Sequence, residues 1–300
     1  MKEIMVPKNL CLYHNYMGVM PFFKEIEYSV LTERKLVFVD FSLCETMTAA
    51  AVLYFVSVVH KCQIMVSIPG CSQGKAIHFK FPSSDYKKEN FETTGLWDII
   101  KPGGAGKLKR VAKDDSNPFY TGINPREDYQ SAIDKYYGLG LDVLPSKFYS
   151  AVQEAYLNIL HHSYSLGLDY GMRYPKFLDR RSWYYTYIKE GGDRIVFMLL
   201  DRGCGIPAKI KHESSKTGAR QSDQKLIERA MKTGFTTTGE PGRGRGSENI
   251  LKPIKLRENE DTLLVYSGRG GCVYRGDSLI GTHEHLWHFD GTLLEWSLEI

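Results

Sequence analysis

The sequence lacks any apolar run long enough to cross a lipid bilayer and any apolar N-terminal segment of signal-peptide length. Its best apolar stretch covers only residues 49–60 (AAAVLYFVSVVH), whereas a membrane-spanning helix needs about 20 apolar residues. A signal peptide would place an apolar core near the N-terminus, where this chain reads MKEIMVPKNL. We therefore expect a cytoplasmic protein that does not enter a membrane.

Paired cysteine motifs and a large excess of one charge are also missing. The six cysteines are scattered without a CxxC pair, which favours reduced, buried thiols over a disulfide framework or a cysteine metal site. The formal net charge is only +4, and nucleic-acid-binding proteins usually concentrate more positive charge than this. We therefore do not expect nucleic acid to be a main partner.

The composition is that of an ordinary globular protein, with 42% hydrophobic and 25% charged residues. A length of 300 residues is enough for two domains. The pattern predicts an N-terminal domain over residues 1–100, a linker or irregular segment over residues 101–144, and a C-terminal domain over residues 145–300. Both domains are predicted to combine helices with strands, so the expected fold class is α/β.

The N-terminal domain contains a strand–helix–strand pattern. A run rich in Val and Phe at residues 35–41 predicts a buried strand, and an Ala-rich segment at residues 46–61 has helical spacing. Residues 63–69 (QIMVSIP) predict a second strand. This spacing predicts two parallel strands joined by a crossover helix.

The segment at residues 101–144 begins with many Gly, Lys and Pro residues, which is typical of a loop. Its Gly106-Lys107 pair is not a P-loop. That motif needs Gly at position 101 and Ser or Thr at position 108, where this chain has Lys101 and Leu108. We interpret the basic residues as a solvated loop, with contact to an anionic partner as the alternative.

The C-terminal domain is predicted to begin with a helix at residues 147–165 that carries one apolar stripe. Aromatic and β-branched runs at residues 183–189 and 193–200 predict a hairpin that turns at Gly191-Gly192. The remaining predicted elements are two helical stretches and two terminal strands, at residues 222–232, 250–254, 262–268 and 291–300.

Glu154 and Asn158 lie four residues apart on the predicted helix, so they share one face. That face is either the solvated side of an amphipathic helix or part of a metal–nucleotide site. In a nucleotide site, the Asn158 amide oxygen would suit Mg²⁺, which keeps most of its waters and bridges to phosphates. Glu154 would then act as the general base for a water that attacks the terminal phosphate.

Asp201 ends the second strand of the predicted hairpin and is followed by Gly203 and Gly205. Asp and Gly in these positions favour a simple turn. The alternative is a nucleotide-base site, in which the Asp201 carboxylate accepts a hydrogen bond from the adenine amino group. The two glycines would allow the backbone to approach the base and the ribose.

The loop at residues 236–246 alternates glycine with arginine just before a helical stretch. A Gly-rich turn that leads into a helix presents backbone N–H groups to phosphate, although the same composition also suits a flexible surface loop. Its candidate ligand residues are Thr237, Thr238, Gly242, Arg243, Gly244, Arg245 and Gly246.

The order of these motifs resembles the Bergerat-type (GHKL) ATP-binding domain of gyrase, histidine kinases, MutL and anti-sigma-factor kinases. The matching features are Glu-xxx-Asn on a helix, DxGxGIP after a strand, TTGxPGRGRG before a helix, and Gly-Thr at the start of a late strand. The resemblance covers residues 145–300 and implies a two-layer α/β sandwich, with a mixed sheet covered on one face by helices.

The resemblance also implies roles for individual residues. Glu154 would be the catalytic, water-activating residue, and Asn158 would bind the Mg²⁺ ion of Mg-ATP. Residues 208–235 would form a mobile lid over the nucleotide. The other implied ATP contacts are Asp201, Gly203, Gly205 and Thr292 around the adenine, and the glycine-rich loop around the phosphates.

The sequence departs from the family pattern at several positions. Ser247 follows the last loop glycine, where family members usually have Leu, and His161 and His162 stand where many relatives have a basic residue and a His. There is no phosphoacceptor-histidine helix pattern, which argues against a sensor histidine kinase.

The N-terminal domain resembles the STAS domain of anti-sigma-factor antagonists, on the basis of KLVFVDFS, the Ala-rich helix and QIMVSIP. Regulatory members carry a phosphorylated Ser at the start of this helix. Here Thr46 and Thr48 are near, but alanines occupy the acceptor region, so we expect a protein-docking domain rather than a phosphorylation switch.

Three hypotheses on function follow from these resemblances. The first is Mg-dependent ATP binding and hydrolysis, coupled to lid closure and partner interaction in a cytoplasmic regulatory or defence system. The second is an anti-sigma-type Ser/Thr protein kinase, in which Glu154 activates a protein hydroxyl. The third is a non-hydrolysing, ATP-dependent interaction module. ATP and Mg²⁺ are the expected cofactors, a protein partner is expected on the STAS-like domain, and a homodimer stays open.

The segment THEHLWHF contains three histidines, which are candidates for a zinc site. His283 and His285 would share one face of a strand, whereas His288 would face the opposite way. No further ligand is placed by the sequence, so ordinary surface histidines are the favoured interpretation.

Overall fold

The computed structural model describes residues 1–65, 76–81, 99, 110, 114, 117–142, 145, 147–165, 179–213, 221–232, 246–255 and 260–300. The chain divides into two compact units, Met1–Phe119 and Tyr120–Ile300. The helices are α1 (Tyr16–Glu27), α2 (Ala49–Met65), α3 (Pro125–Tyr137), α4 (Phe148–Asn158), α5 (Ile206–Glu213), α6 (Asp223–Met231) and α7 (Gly246–Lys255). The strands are β1 (Lys2–Met5), β2 (Asn9–Leu10), β3 (Val37–Asp40), β4 (Thr46–Met47), β5 (Ile77–Lys80), β6 (Phe119–Gly122), β7 (Ser182–Ile188), β8 (Arg194–Asp201), β9 (Thr262–Arg275) and β10 (Ser278–Glu299).

The first unit is built on a parallel sheet in which β3 pairs with β1 on one side and β5 on the other. The predicted strand–helix–strand pattern is confirmed, because α2 connects β3 to its parallel neighbour β5. The position of the second strand was wrong. Residues 63–65 extend α2, and residues 66–69 lie outside the described part of the chain. The strand after α2 that pairs with β3 is β5. A short apolar run fits a helix or a strand equally well by periodicity, and here helix α2 includes the first three residues of the run.

Aromatic side chains join the helices of this unit. The ring centroids of Phe23 and Tyr54 are 4.9 Å apart, and those of Phe22 and Phe55 are 6.0 Å apart, so α1 packs directly on α2. The Val, Tyr and Phe side chains of α2 are buried, so this helix is largely enclosed by the unit. No helix in the described part of the chain is long and apolar enough to cross a membrane.

The second unit contains a sheet with the strand order β6-β7-β8-β10-β9 among the described residues. The predicted hairpin is confirmed, since β7 and β8 are antiparallel neighbours. β10 pairs antiparallel with β8 on one side and β9 on the other. The two terminal strands are confirmed as strands but are longer than predicted, because β9 and β10 extend beyond the sheet as one long hairpin.

Helices cover one face of this sheet. Alternate β8 residues Ile195, Phe197 and Leu199 point to the helical layer and are buried there. The Phe148 ring of α4 lies 3.8 Å from the Phe197 ring, and the Trp296 indole of β10 donates a hydrogen bond to the Ile250 carbonyl of α7. Since α3 contacts β7, α4 packs on β8, and α7 contacts β9 and β10, α4 lies between α3 and α7. The α/β class is therefore confirmed.

Part of the segment that was predicted to be a linker is ordered structure. Residues 117–142 contain strand β6 and helix α3, and both belong largely to the second unit. Pro125 occupies the start of α3, where its missing N–H costs no hydrogen bond. Ala132, Ile133 and Tyr136 are buried against the helical layer. The other residues of this helix are mostly polar, so its apolar face was not recognised in the sequence.

Candidate functional site

The structure describes seven of the predicted site residues: Glu154, Asn158, Asp201, Gly203, Gly205, Gly246 and Thr292. The six remaining ones lie outside the described residues: Thr237, Thr238, Gly242, Arg243, Gly244 and Arg245. The described residues form two groups, one around the end of β8 and one where α4 meets the first residue of α7.

Asp201 is the last residue of β8 and is only 4% exposed. In the sheet it lies opposite Ser182 of β7 and Thr292 of β10. One carboxylate oxygen accepts a hydrogen bond from the Gly203 amide at 2.8 Å, and the side chain of Ser163 and the backbone of Thr292 also donate to the carboxylate. Burial nevertheless raises the pKa of Asp201 to about 6. The groups that donate hydrogen bonds to this carboxylate are therefore neutral, and Arg202 acts on it only through its charge.

The loop after Asp201 is held closely against the end of the α4 segment. The Cys204 amide donates to the Ser163 carbonyl at 2.6 Å. A Cβ atom at Gly203 would overlap that same carbonyl, so only glycine fits. Gly205 has a φ of +79°, and a Cβ atom there would lie 2.7 Å from the Ser267 hydroxyl. Both predicted glycines thus serve a close approach of backbone segments.

Thr292 is brought to the same place by β10. The preceding residue, Gly291, has a φ of +95°, and a Cβ atom there would overlap the Asp201 carbonyl oxygen. The Ser267 hydroxyl donates to the Gly291 carbonyl at 2.8 Å, lies 3.1 Å from the Thr292 hydroxyl, and accepts from the Ile206 amide at 2.9 Å. Asp201 and Thr292 therefore belong to one hydrogen-bonded cluster, and Gly205 packs against the Ser267 hydroxyl of that cluster.

Glu154 and Asn158 lie on the partly exposed face of α4, whereas Val152, Ala155 and Tyr156 are buried. Gly246, the last residue of the PGRGRG turn, begins α7 and lies directly against the Glu154 carboxylate. A side chain at position 246 would collide with that carboxylate. The predicted catalytic residue and the end of the predicted phosphate loop are thus neighbours.

One continuous segment connects the two groups. After Asn158, the chain continues as a π-helical turn over Ile159–Ser163, and Ser163 binds the Asp201 loop. Tyr164, the next residue, accepts a hydrogen bond from the Arg202 amide at 3.1 Å. π-Helical turns often occur at functional sites. Residues 148–164 therefore carry the face with Glu154 and Asn158 at one end and anchor the Asp201 loop at the other.

Ser163, Tyr164 and Ser267 were not found by the sequence analysis. The only available signal for Ser267 was a hydroxyl residue inside an apolar strand (TLLVYSG), and nothing local distinguishes Ser163 from other residues near a helix end. Their importance comes from hydrogen bonds to residues far away in the sequence.

The expected lid over residues 208–235 needs a correction in its extent. Helix α6 lies inside this range, and its Leu226, Ile227 and Met231 are buried. The Asp223 carboxylate at its start binds the Arg269 amide of β9 at 2.8 Å and pairs with Lys211. Since α6 is part of the packed layer, the whole range does not form one free segment.

The histidine cluster lies on β10, as predicted. The rings of His283 and His285 are 6.0 Å apart on one face, and burial lowers the pKa of His285 to about 4. His288 lies 3.2 Å from the Asp290 carboxylate. Within the described ranges, no group of three or more His, Cys, Asp or Glu side chains is arranged to hold a metal ion.

Comparison of the sequence with models of known protein families gives no match, and comparison with curated proteins finds no significantly similar sequence.

Proposed function

We propose that the second unit binds Mg-ATP and hydrolyses it, with Asp201 at the adenine end and Glu154 and Asn158 at the phosphate end. The observation that carries this proposal is the arrangement of the Asp201 cluster and the Glu154–Gly246 contact around one helical segment, residues 148–164. Turn and surface residues without a shared function would not be expected to lie together along one helical segment.

The environment of Asp201 fits an adenine contact. An exocyclic amino group is a hydrogen-bond donor without charge, and a desolvated carboxylate without a direct cationic partner suits such a donor. Gly203, Gly205 and Gly291 allow neighbouring backbone segments to pack closely around this carboxylate. This packing would hold the carboxylate in one position for the base.

The neighbourhood of Glu154 fits the phosphate end. Gly246 begins a ten-residue helix, whose first backbone N–H groups and positive dipole end favour an anion. Asn158, one turn after Glu154, would offer its amide oxygen to the Mg²⁺ ion. When bound, Mg²⁺ would neutralise charge on the phosphate oxygens. Glu154 would accept a proton from the attacking water.

The first unit is proposed to dock a protein partner, in line with the STAS resemblance. Its parallel sheet and crossover helix support this proposal at the level of topology. Thr46 donates a hydrogen bond to the side chain of Asn9 at 3.0 Å, which joins the start of the α2 segment to the N-terminal strand region.

The main test compares steady-state Mg-ATP turnover and ATP affinity for the wild type and Glu154→Gln. Gln keeps the size of the side chain but cannot accept a proton from water, so turnover should fall by about 10²–10⁴-fold while ATP affinity stays within about twofold. Glu248→Gln is the matched control, because Glu248 is also a partly exposed carboxylate near the start of α7.

Three outcomes separate the hypotheses. Tight ATP binding without turnover by the wild type would replace the ATPase by a binding module. Transfer of labelled phosphate to a protein hydroxyl would establish the kinase. Equal losses of turnover in Glu154→Gln and Glu248→Gln would contradict the role of Glu154.

A further inference from the structure

Polar side chains from four strands form one row across the sheet at the end of β8. Ser182 of β7 and Thr292 of β10 lie directly opposite Asp201. Ser267 of β9 lies directly opposite Thr292. Directly opposite residues of antiparallel strands point to the same face of a sheet. Leu199, two residues before Asp201, packs in the helical layer, so the row lies on the face of the sheet that α4 covers.

The Ser267 hydroxyl is fully buried and has three polar neighbours in this row and the adjoining loops. It accepts a hydrogen bond from the Ile206 amide at 2.9 Å. Its oxygen also lies 2.8 Å from the Gly291 carbonyl oxygen and 3.1 Å from the Thr292 hydroxyl. A hydroxyl group has one hydrogen to donate and two lone pairs that accept. Because a carbonyl oxygen can only accept, the single hydrogen of Ser267 goes to Gly291.

This arrangement fixes the direction of the hydrogen bond between Ser267 and Thr292. Ser267 has no second hydrogen, so the Thr292 hydroxyl donates and the Ser267 oxygen accepts. The Thr292 oxygen then offers only lone pairs to a ligand. Thr292 is half-buried, whereas Ser267 is fully buried, so Thr292 is the member of this pair that a ligand can reach.

Asp201 offers hydrogen-bond acceptors beside Thr292. The Gly203 amide, the Ser163 hydroxyl and the Thr292 amide donate to its carboxylate. A carboxylate has about four acceptor positions, so about one is left for a ligand. Because the pKa of Asp201 is about 6, the carboxylate is ionised at neutral pH and has no hydrogen to donate. The Asp201 carboxylate and the Thr292 hydroxyl are therefore two neighbouring acceptors.

We infer that Ser267 is a positioning residue that makes the base site selective for an amino group, an inference that rests on the proposed nucleotide site. The adenine amino group carries two N–H donors, whereas guanine has a carbonyl oxygen at that position. One amino group can donate to both Asp201 and Thr292, because directly opposite residues of neighbouring strands have Cβ atoms only about 5 Å apart. A carbonyl oxygen would face two acceptors without a hydrogen between them.

The test compares the calorimetric affinities of the Mg²⁺ complexes of the β,γ-imido triphosphates of adenosine and inosine, which are not hydrolysed. Inosine carries a carbonyl group in place of the adenine amino group. The wild type should bind the adenosine analogue about a hundredfold or more tightly. Ser267→Ala should lower this affinity ratio about tenfold, because the Thr292 hydroxyl can then turn and donate to the carbonyl oxygen. General loosening of the site would weaken both ligands and leave the ratio unchanged.

Thr292→Val separates this role from a merely structural one. Valine has no acceptor, so this variant should also lower the ratio, and adding Ser267→Ala to it should lower the ratio no further. Ser297→Ala is the matched control and should keep the wild-type ratio. Ser297 is a nearly buried β10 residue at the other end of the pairing with β8, where its hydroxyl accepts from the Arg194 guanidinium at 3.2 Å. Thermal melting verifies that every variant is folded.

The outcomes distinguish this inference from the proposed function. An unchanged ratio in Ser267→Ala, with the adenosine analogue still bound, overturns the inference and leaves the proposed function intact. An equal fall in Ser297→Ala also overturns it. If Ser267→Ala does not fold, Thr292→Val decides, because a ratio that rises in that variant would mean that Thr292 donates to the base. Failure of the folded wild type to bind either analogue overturns the proposed function, and this inference with it.

Discussion

Asp40 and Asp201 occupy equivalent local positions in the two units but have opposite electrostatic properties. Each is the last residue of a central strand, β3 or β8, and each is almost fully buried. Each carboxylate also accepts a hydrogen bond from the amide two residues later, Ser42 at 2.7 Å and Gly203 at 2.8 Å. Lys80 lies 2.6 Å from Asp40 and is the main cause that lowers the pKa of Asp40 to about 2. Burial with neutral donors raises the pKa of Asp201 to about 6.

The residues that follow the two aspartates also differ between the two units. Asp40 is followed by Phe41 and Ser42, and Phe41 is buried in the core of the first unit. Asp201 is followed by the buried Arg202 and by Gly203 and Gly205, and the two glycines allow close packing of neighbouring segments. A strand-end aspartate with a lysine partner stabilises the fold, whereas a desolvated aspartate whose hydrogen-bond donors are neutral is a candidate ligand group.

The largest effect is expected from adding a side chain to the closely packed backbone beside Asp201. Gly291→Ala places a Cβ atom against the Asp201 carbonyl in a backbone with a φ of +95°. We expect the free energy of unfolding to fall by about 3 kcal/mol or more, since both steric overlap and left-handed strain must be relieved. Chemical denaturation measures this loss.

Gly192→Ala provides the matched control. Gly192 also has a positive φ, +77°, but no atom lies within 4 Å of an added Cβ. Its substitution should cost only about 1 kcal/mol, which is the backbone strain alone. Similar costs for both variants would show that the backbone around Asp201 is not closely packed.

Asp201→Asn tests the proposed contact between the Asp201 carboxylate and adenine. The amide keeps the size of the side chain but replaces one acceptor oxygen by a donor, so ATP affinity should fall by about tenfold or more. Asp40→Asn is the paired variant and should leave ATP affinity unchanged. Unchanged ATP affinity in Asp201→Asn would contradict the adenine assignment.

The pH dependence of stability tests the electrostatic difference between Asp201 and Asp40. The pKa of Asp201 is about 6 in the folded chain, above the ordinary 3.8, so the folded chain binds more protons between these values. Its contribution to stability is therefore lost as the pH rises from about 4 to 6. The free energy of unfolding of Asp201→Asn, measured relative to the wild type, should increase over this range. A constant difference would show that Asp201 is not desolvated.

Asp40→Asn should have a small effect on stability and the opposite pH dependence. At neutral pH we expect a loss of about 1 kcal/mol, because the Lys80 contact is half-exposed and screened. The pKa of Asp40 lies below its ordinary value, so its stabilisation is fully present above about pH 4 and is lost as the pH falls towards 2. Urea denaturation between pH 2 and 5 should show the difference between wild type and variant shrinking with acidity. A Lys80→Met background should remove most of this trend.

The sequence predicted most elements of the second unit because their signals are local. The α4 stripe, the β7–β8 hairpin, α6 and the terminal strands follow from apolar periodicity and turn residues. α3 was missed because its apolar face is narrow and its first turn is acidic and polar. The second strand of the parallel pair was misplaced because helix α2 continues into a run that also fits a strand.

For the candidate site, the motifs identified residues but not their partners. Glu154, Asn158 and Asp201 were found from spacing and neighbouring glycines. The contacts of Ser163 and Ser267 with the Asp201 loop depend on strand register and on the path of the chain after α4. One cavity is likewise lined by residues from three separate stretches of the sequence: Asn124, Arg126, Leu160, His161 and Arg180.

The order of residues by itself determined most of the helices, strands and tight glycine turns of the second unit, because those preferences depend on each residue and its near neighbours. Only the tertiary structure decided which strand-end aspartate received a lysine and which one kept only neutral donors. The reason is that burial and charge pairing depend on side chains from distant parts of the chain, whose positions are set by packing.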